Sequence, residues 1–119
     1  MKTIIFLLNL LFILQNLPAK ETENAVQVTY KTSHQEIAPG DTLLIEFTFK
    51  IKKGWHIYWI NPGDAGLPTI IELKENQVGK QIDVLMDVPK ILKEEDLVFY
   101  CYENKTTMVS KIIIPPAAN

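Results

Sequence analysis

The sequence predicts an all-β fold, an antiparallel β-sandwich of about seven short strands. Apolar and polar residues alternate in several short segments, which is the pattern of strands that bury one face. Turn signals separate these segments at intervals of about eight to twelve residues, and Pro39-Gly40 has the chemistry of a type II turn. No segment after residue 20 shows convincing helical spacing, so two packed sheets are the expected architecture.

The clearest strand is predicted for residues 41–51, where strict alternation indicates an antiparallel sheet with one face in water. The residues expected on its buried face are Leu43, Ile45, Phe47, Phe49 and Ile51. Nearer the amino terminus, Val26, Val28 and Tyr30 alternate with polar residues and predict a half-buried strand.

The segments that follow are less regular. Residues 69–73 predict a short apolar strand, and residues 81–86 alternate weakly, as a further strand would. Residues 87–96 contain Pro89 and a cluster of charges, so we expect a solvated loop there, with a short helical turn as the alternative.

The last two predicted strands are residues 97–103 and 106–114. Only Asn104-Lys105 lies between them, and a two-residue connection of this kind is typical of a β-hairpin. We therefore expect these two strands to pair directly with each other.

Residues 54–69, with the sequence GWHIYWINPGDAGLPT, are the most unusual stretch of the chain. Alternation within it predicts that Trp55 and Trp59 point inward, whereas His56 and Tyr58 point outward. The following Asn61-Pro62-Gly63-Asp64 predicts a type II turn, because proline presets φ and glycine accepts a positive φ. Such a turn would let the Asp64 side chain bond its own backbone.

Composition limits the classes of function. The chain has 119 residues, enough for one domain, with a formal net charge of −2 and no cluster of arginine or stripe of lysine. An electrostatic nucleic-acid binder is therefore not expected. The single cysteine, Cys101, excludes a disulfide within these residues.

The amino terminus predicts export. Lys2 precedes an apolar run over residues 4–14, and Pro18-Ala19 follows as a plausible cleavage point. The run is too short to span a membrane comfortably. We expect residues 1–19 to be a signal peptide, and residues 20–119 to form one exported domain without a membrane span.

Two stretches carry a resemblance to a known family: GWHIYWINPGDAGLPT over residues 54–69 and FYCYENKTTMVSKIII over residues 99–114. They resemble the amino-terminal domain of DsbD-type thiol:disulfide interchange proteins, nearest the soluble copper-sensitivity-suppressor branch. The resemblance implies an immunoglobulin-like sandwich, a periplasmic location and a role in passing reducing equivalents to periplasmic thiol proteins. It also implies a periplasmic thiol–disulfide protein or a membrane redox protein as partner. The loop residues that carry it are Trp55, His56, Tyr58, Trp59, Asn61, Pro62, Gly63, Asp64, Gly66 and Pro68, and those of the expected hairpin are Tyr100, Tyr102 and Glu103.

One departure from the family changes the expected activity. The resemblance implies a pair of redox cysteines after the hairpin, and the sequence, which stops at Asn119, contains no such pair. We therefore expect a domain that is shortened at its carboxyl end. Disulfide exchange by a dithiol needs a second thiol to close the disulfide. We therefore expect no catalytic residue, no cofactor and no redox relay from this chain alone. Cys101, where relatives typically carry glycine, is expected to pack in a strand rather than to react.

Two alternatives remain at this stage. One is a non-catalytic binding module that uses the loop of residues 61–68. The other is a copper-binding protein with His34, His56 and Cys101 as ligands, although their spacing matches no short metal motif. Nothing in the sequence brings Asp64 together with Glu103 as paired carboxylates.

Overall fold

The computed structural model describes residues 24–74 and 79–117, and in these ranges it contains strands, turns and extended segments but no helix. The seven strands are β1 (Val26–Thr32), β2 (Thr42–Ile51), β3 (Ile57–Gly63), β4 (Lys80–Met86), β5 (Lys90–Glu94), β6 (Leu97–Tyr102) and β7 (Lys105–Ile113). The prediction of an all-β fold is confirmed.

The strands form two antiparallel sheets. One has the order β1-β2-β7-β4, and the other has the order β3-β6-β5. A constant-type immunoglobulin domain has the same division into four and three strands, with sequence orders 1-2-5-4 and 3-6-7. In this chain β7 lies between β2 and β4, and β5 lies beside β6, so the fifth and seventh strands exchange places.

Side chains from both sheets meet in one core. Phe49 and Ile51 of β2 and Met108 of β7 contribute from the four-stranded sheet, and Tyr102 of β6 contributes from the other. Met108 is fully buried at 0% exposure. Because facing sheets bury their inner residues between them, this cluster makes the fold a sandwich.

The predicted alternation is seen in the two central strands of the larger sheet. Every second residue of β7 is buried, and these residues are Thr106, Met108, Ser110 and Ile112. Phe49 and Ile51 lie on the buried face of β2, and the register places Phe47 opposite Met108. The inward face predicted for β2 is therefore correct.

Strand β1 also forms where predicted, but it is not half-buried. The register pairs Val28 with Phe49 and Tyr30 with Phe47, so these side chains lie on the inner face of the sheet. Nevertheless Val28 is 52% exposed and Tyr30 is 72% exposed. The reason is that the three-stranded sheet is narrower than the four-stranded sheet it packs on. This part of β1, at the edge of the larger sheet, is therefore left uncovered.

Two tight turns contain a glycine with positive φ, and the one at Pro39-Gly40 forms as the sequence predicts. The Asp41 N–H donates to the Ala38 carbonyl over 3.1 Å, and Gly40 between them has φ +85°. The Trp55 N–H donates to the Lys52 carbonyl over 2.9 Å, with Gly54 at φ +86°. Each glycine supplies the positive φ that the third position of such a turn requires.

The strand predicted at residues 69–73 is wrong. This segment has no regular secondary structure, and the Gln81 side chain binds it instead of a neighbouring strand. The Leu73 N–H donates to Gln81 Oε1 over 2.9 Å, and Gln81 Nε2 donates to the Ile71 carbonyl over 2.8 Å. The apolar content of the segment predicted a strand, but a strand also needs a neighbouring backbone to pair with.

The solvated loop predicted at residues 87–96 is also wrong, since this segment contains β5. A two-residue turn, Glu95-Asp96, joins β5 to β6, with Glu95 at φ +53°. Charged residues are tolerated in β5 because it is an edge strand, in contact with β6 alone.

The hairpin predicted for Tyr100, Tyr102 and Glu103 does not exist. Strands β6 and β7 belong to different sheets, so the chain crosses from one sheet to the other at Asn104. Asn104 has φ +63°, and its carbonyl accepts a hydrogen bond of 2.7 Å from the Ile51 N–H. Spacing alone cannot distinguish this corner from a hairpin, because both connect two strands through a short turn.

The signal peptide predicted for residues 1–19 lies outside the described residues. In the described part of the chain, no helix has the length and apolar character needed to cross a membrane.

Candidate functional site

The unusual motif folds as an irregular edge of the three-stranded sheet. Strand β3 continues through Asn61-Pro62-Gly63, and its register with β6 shifts between Tyr58 and Gly63. Asn61 Oδ1 accepts a hydrogen bond of 3.1 Å from the Gly63 N–H, and Gly63 has φ +89°. The positive φ is as predicted, but the segment is a bulged strand end rather than a type II turn.

Asp64 links this strand end to β6. Its N–H donates to the Val98 carbonyl over 2.9 Å, and its carboxylate accepts from the Val98 N–H over 2.7 Å. The prediction that Asp64 bonds its own backbone is therefore wrong. Instead, the two bonds between Asp64 and Val98 extend the hydrogen bonding between β3 and β6 by one residue pair, at the point where β3 leaves the sheet. The bond that the carboxylate accepts is strengthened by its negative charge.

Two glycines allow the loop to lie directly on the sheet. A Cβ at Gly63 would be 2.2 Å from the Val98 carbonyl oxygen. A Cβ at Gly66, where φ is +104°, would be 2.5 Å from the ring of Tyr58. Both distances are shorter than any real contact, so only glycine permits this approach.

His56 and Tyr58 form a polar pair beneath the loop. His56 Nε2 and the Tyr58 hydroxyl are 3.0 Å apart, and the two rings meet edge to face with centroids 5.0 Å apart. Tyr58 also packs on Phe99, with centroids 6.1 Å apart, and bridges to Pro68. Both members of the pair are half-buried rather than fully outward, and Gly66 of the loop lies directly against the Tyr58 ring.

The two tryptophans do not share an environment. Trp59 packs against the core and meets Tyr100 edge to face, with centroids 6.0 Å apart, as the inward prediction requires. Trp55, predicted to point inward as well, is 57% exposed. Strand β3 begins only at Ile57, so Trp55 lies in the preceding turn and the alternation does not extend to it.

Cys101 lies at the centre of the three-stranded sheet. It stands opposite Tyr58 on one side and Lys90 on the other, and its exposure is 0%. Burial raises the pKa of the Cys101 thiol, and the negative charge of Glu103 raises it further. A thiol with a raised pKa forms little of the thiolate that attacks a disulfide.

An ion pair lies beside this thiol. Lys90 Nζ and Glu103 Oε2 are 2.7 Å apart. The hydrogen bond between them raises the pKa of Lys90 and lowers that of Glu103. Together with Cys101 these two residues line a surface cavity of about 240 Å³. Sequence reasoning missed Lys90 because its segment was interpreted as a loop, and KILKE has no alternation of apolar and polar residues that would have indicated a strand.

Tyr102 anchors the connection between β4 and β5. Its hydroxyl donates to the Asp87 carbonyl over 2.7 Å, and Thr106 Oγ1 is 3.3 Å from the Asp87 carboxylate. Burial raises the pKa of Tyr102, and Asp87 adds to this shift. Tyr102 is thus a structural residue that holds the two sheets together.

The proposed copper ligands do not converge. His34 is exposed and bonds the Ser33 hydroxyl over 2.8 Å, whereas Cys101 is buried in β6. In residues 24–74 and 79–117, no three His, Cys, Asp or Glu side chains lie close enough to hold a metal ion. Asp64 and Glu103 likewise bind different partners, Val98 and Lys90.

Comparison with known proteins gives a family match. Residues 16–119 match the family model described as "Thiol:disulfide interchange protein DsbD, N-terminal". No curated protein and no solved structure matches the chain. The matched range includes the loop, the His56–Tyr58 pair and all seven strands.

Proposed function

The chain belongs to the family of DsbD amino-terminal domains, and from this we propose that it is a periplasmic domain that binds a thiol–disulfide protein without itself turning over a disulfide. The observation that carries the proposal is the state of Cys101. It is the one cysteine in these 119 residues, and it is 0% exposed.

The chemistry of exchange explains why this observation matters. A thiolate attacks a disulfide sulfur, and a second thiol then resolves the mixed disulfide. Burial withholds the first thiolate, since it raises the pKa of Cys101 and closes off access. The 119 residues offer no second thiol. Binding is then the part of the family role that these residues can perform.

The loop supplies a surface suited to binding. Leu67 is 84% exposed, and the loop that carries it is held at its base by Asp64 and against the sheet by Gly66. A side chain presented by a fixed backbone loses little conformational entropy on binding. The exposed Trp55, at 57%, adds an aromatic group of the type that often anchors an interface.

The partner and the compartment follow from the family and from the amino terminus. The apolar run after Lys2 supports export, and the family role supports a periplasmic thiol–disulfide protein or a membrane redox protein as partner. The net charge of −2 offers no basis for nucleic-acid binding.

Insulin reduction in the presence of dithiothreitol tests the absence of turnover. We expect the protein to accelerate insulin precipitation no more than its C101S variant does. Catalysis by the wild type that C101S abolishes would contradict the proposal and make Cys101 the reactive group.

Calorimetric titration with a periplasmic thiol–disulfide oxidoreductase of the same organism tests binding. Leu67→Asp should weaken binding at least about tenfold, because it places a charge in the apolar contact. Leu85→Asp is the matched control, since Leu85 is 54% exposed on β4, in the other sheet. Equal affinities of the two variants would exclude the loop as the binding surface.

A further inference from the structure

The edges of the two sheets differ in how they are protected. Edge strands invite pairing with another chain unless a bulge, a proline, charges or a covering segment prevents it. The edge of β3 is covered, since the Thr69 N–H donates to the Tyr58 carbonyl over 3.1 Å. The ladder of β4 is interrupted by a register shift between Gln81 and Asp83. Strand β5 is short, and its charged residues are Lys90, Lys93 and Glu94.

Within the described residues, strand β1 has no bulge, no proline and no covering segment, and it carries only one charge. Its seven residues, VQVTYKT, contain no proline and no glycine, and they pair with β2 in unbroken register. Its one charged residue, Lys31, is 3.4 Å from Glu46 on the neighbouring strand. A long, regular and nearly uncharged edge is the kind on which another strand can add.

The hydrogen bonds at the two ends of β1 show which groups face outward. The Ala25 carbonyl accepts from Lys52 N–H over 2.8 Å, and the Ser33 N–H donates to the Leu44 carbonyl over 2.9 Å. Bonding alternates along an antiparallel pair, so the odd-numbered residues between these ends bond β2. The residues whose N–H and C=O groups point away from β2 are Val26, Val28, Tyr30 and Thr32. The described part of the chain provides no partner for these outward groups.

We propose that β1 pairs antiparallel with β1 of a second copy of this chain, so that two four-stranded sheets join into one continuous sheet. A two-fold axis through Thr29, the middle residue of the strand, overlaps all seven residues of both copies. It also sets Val28 opposite Tyr30 of the other copy. Both are residues whose N–H and C=O groups point away from β2. Each such pair exchanges two N–H···O bonds.

Side chains fit this register on both faces. On the inner face, Val28 and Tyr30, which are 52% and 72% exposed, become a cross-strand pair of a β-branched and an aromatic residue. On the outer face, Thr29 meets Thr29, and Lys31 meets Gln27, so that no like charges stand directly opposite. This self-complementarity favours a second copy over an unrelated strand as the occupant.

Sedimentation of the protein purified after expression of the full chain, from micromolar to millimolar concentration, tests the proposal. We expect a reversible monomer–dimer equilibrium. Thr29→Lys and Thr29→Glu each place like charges at the axis and should raise the dimer dissociation constant about fivefold. An equimolar mixture of T29K and T29E should recover the wild-type constant as a heterodimer. Thr42→Lys adds the same charge to an exposed residue of β2 that does not face β1 and should leave it unchanged.

Val28→Pro gives a second, stronger perturbation. It removes an N–H that points away from β2, so the β1–β2 ladder keeps its bonds while the dimer loses a bond in each copy. We expect V28P to be monomeric at every concentration, with an unchanged circular dichroism spectrum. A wild type that stays monomeric to millimolar concentration would overturn the proposal, and so would a T29K variant that dimerises as the wild type does.

Discussion

Replacing Gly63 with alanine should detach the loop from the sheet. The loss in the free energy of unfolding should be far larger than the cost of placing an alanine at a positive φ. Gly63 has φ +89°, and an alanine in the left-handed region costs about 1–2 kcal/mol. The new Cβ would also be 2.2 Å from the Val98 carbonyl oxygen, so the backbone must move. That movement breaks the two Asp64–Val98 hydrogen bonds. The bond to the neutral Val98 carbonyl is worth about 0.5–1.5 kcal/mol, and the bond to the charged Asp64 carboxylate about 1.5–3 kcal/mol.

The expected total for Gly63→Ala is therefore about 3–6.5 kcal/mol, a large part of the stability of a small domain. Gly40→Ala is the matched control, because Gly40 has φ +85° and a Cβ there would meet nothing within 4 Å. It carries the same conformational strain without the contact and should cost about 1–2 kcal/mol. Urea unfolding followed by tryptophan fluorescence measures both, with the m-value as a check on two-state behaviour. Equal losses for the two variants would refute the argument that the close approach to Val98 holds the loop.

Three further predictions concern the buried thiol, an unpartnered hydroxyl and export. The pKa of Cys101 is higher in the folded state, so above about pH 8.5 the folded protein holds more protons than the unfolded chain, and the free energy of unfolding should fall as the pH rises. Cys101→Ser should remove this pH dependence. Tyr102, whose pKa is also raised, should add a further fall in stability from about pH 10. Thiol labelling should accordingly be slow in the native protein and fast in urea, and fast native labelling would contradict the burial. Ser110 is 2% exposed, and its hydroxyl has no hydrogen-bond partner among the described residues, so Ser110→Ala should be neutral or stabilise by about 1 kcal/mol in thermal unfolding. A loss of more than about 1 kcal/mol would indicate a hidden partner. Mass spectrometry of the periplasmic form should find its amino terminus near Lys20, and a full-length protein in the membrane fraction would contradict cleavage.

Much of the fold could be predicted because strand patterning is local. The alternation around Phe47 and Phe49 is correct, since a side-chain period of two along an extended backbone decides which residues share a face. The all-β class and the turn at Gly40 follow from equally local preferences. The errors concern pairing: the segment at residues 69–73 has strand composition but no neighbouring strand, and Asn104 connects two sheets instead of the strands of a hairpin.

For the candidate site, too, the local features could be predicted from the sequence and the long-range contacts could not. Its residue types were visible in the sequence, including Asp64, Gly66 and the solitary Cys101. Their partners were not: Asp64 binds a residue 34 positions away, and Lys90 reaches Glu103 across a strand pair that had been interpreted as a loop. Contacts between distant positions leave no periodic signal in one sequence.

The sequence by itself determined the all-β class, the buried face of the longest strand, the family and the presence of a single thiol. Each of these depends on composition, on local backbone preference or on a contiguous motif. Only the tertiary structure decided that Trp55 is exposed, that Cys101 lies beside an ion pair and that the inner face of β1 is uncovered. These properties depend on which sheet a strand joins and on how far one sheet extends over the other, and that is set by the packing of the whole chain.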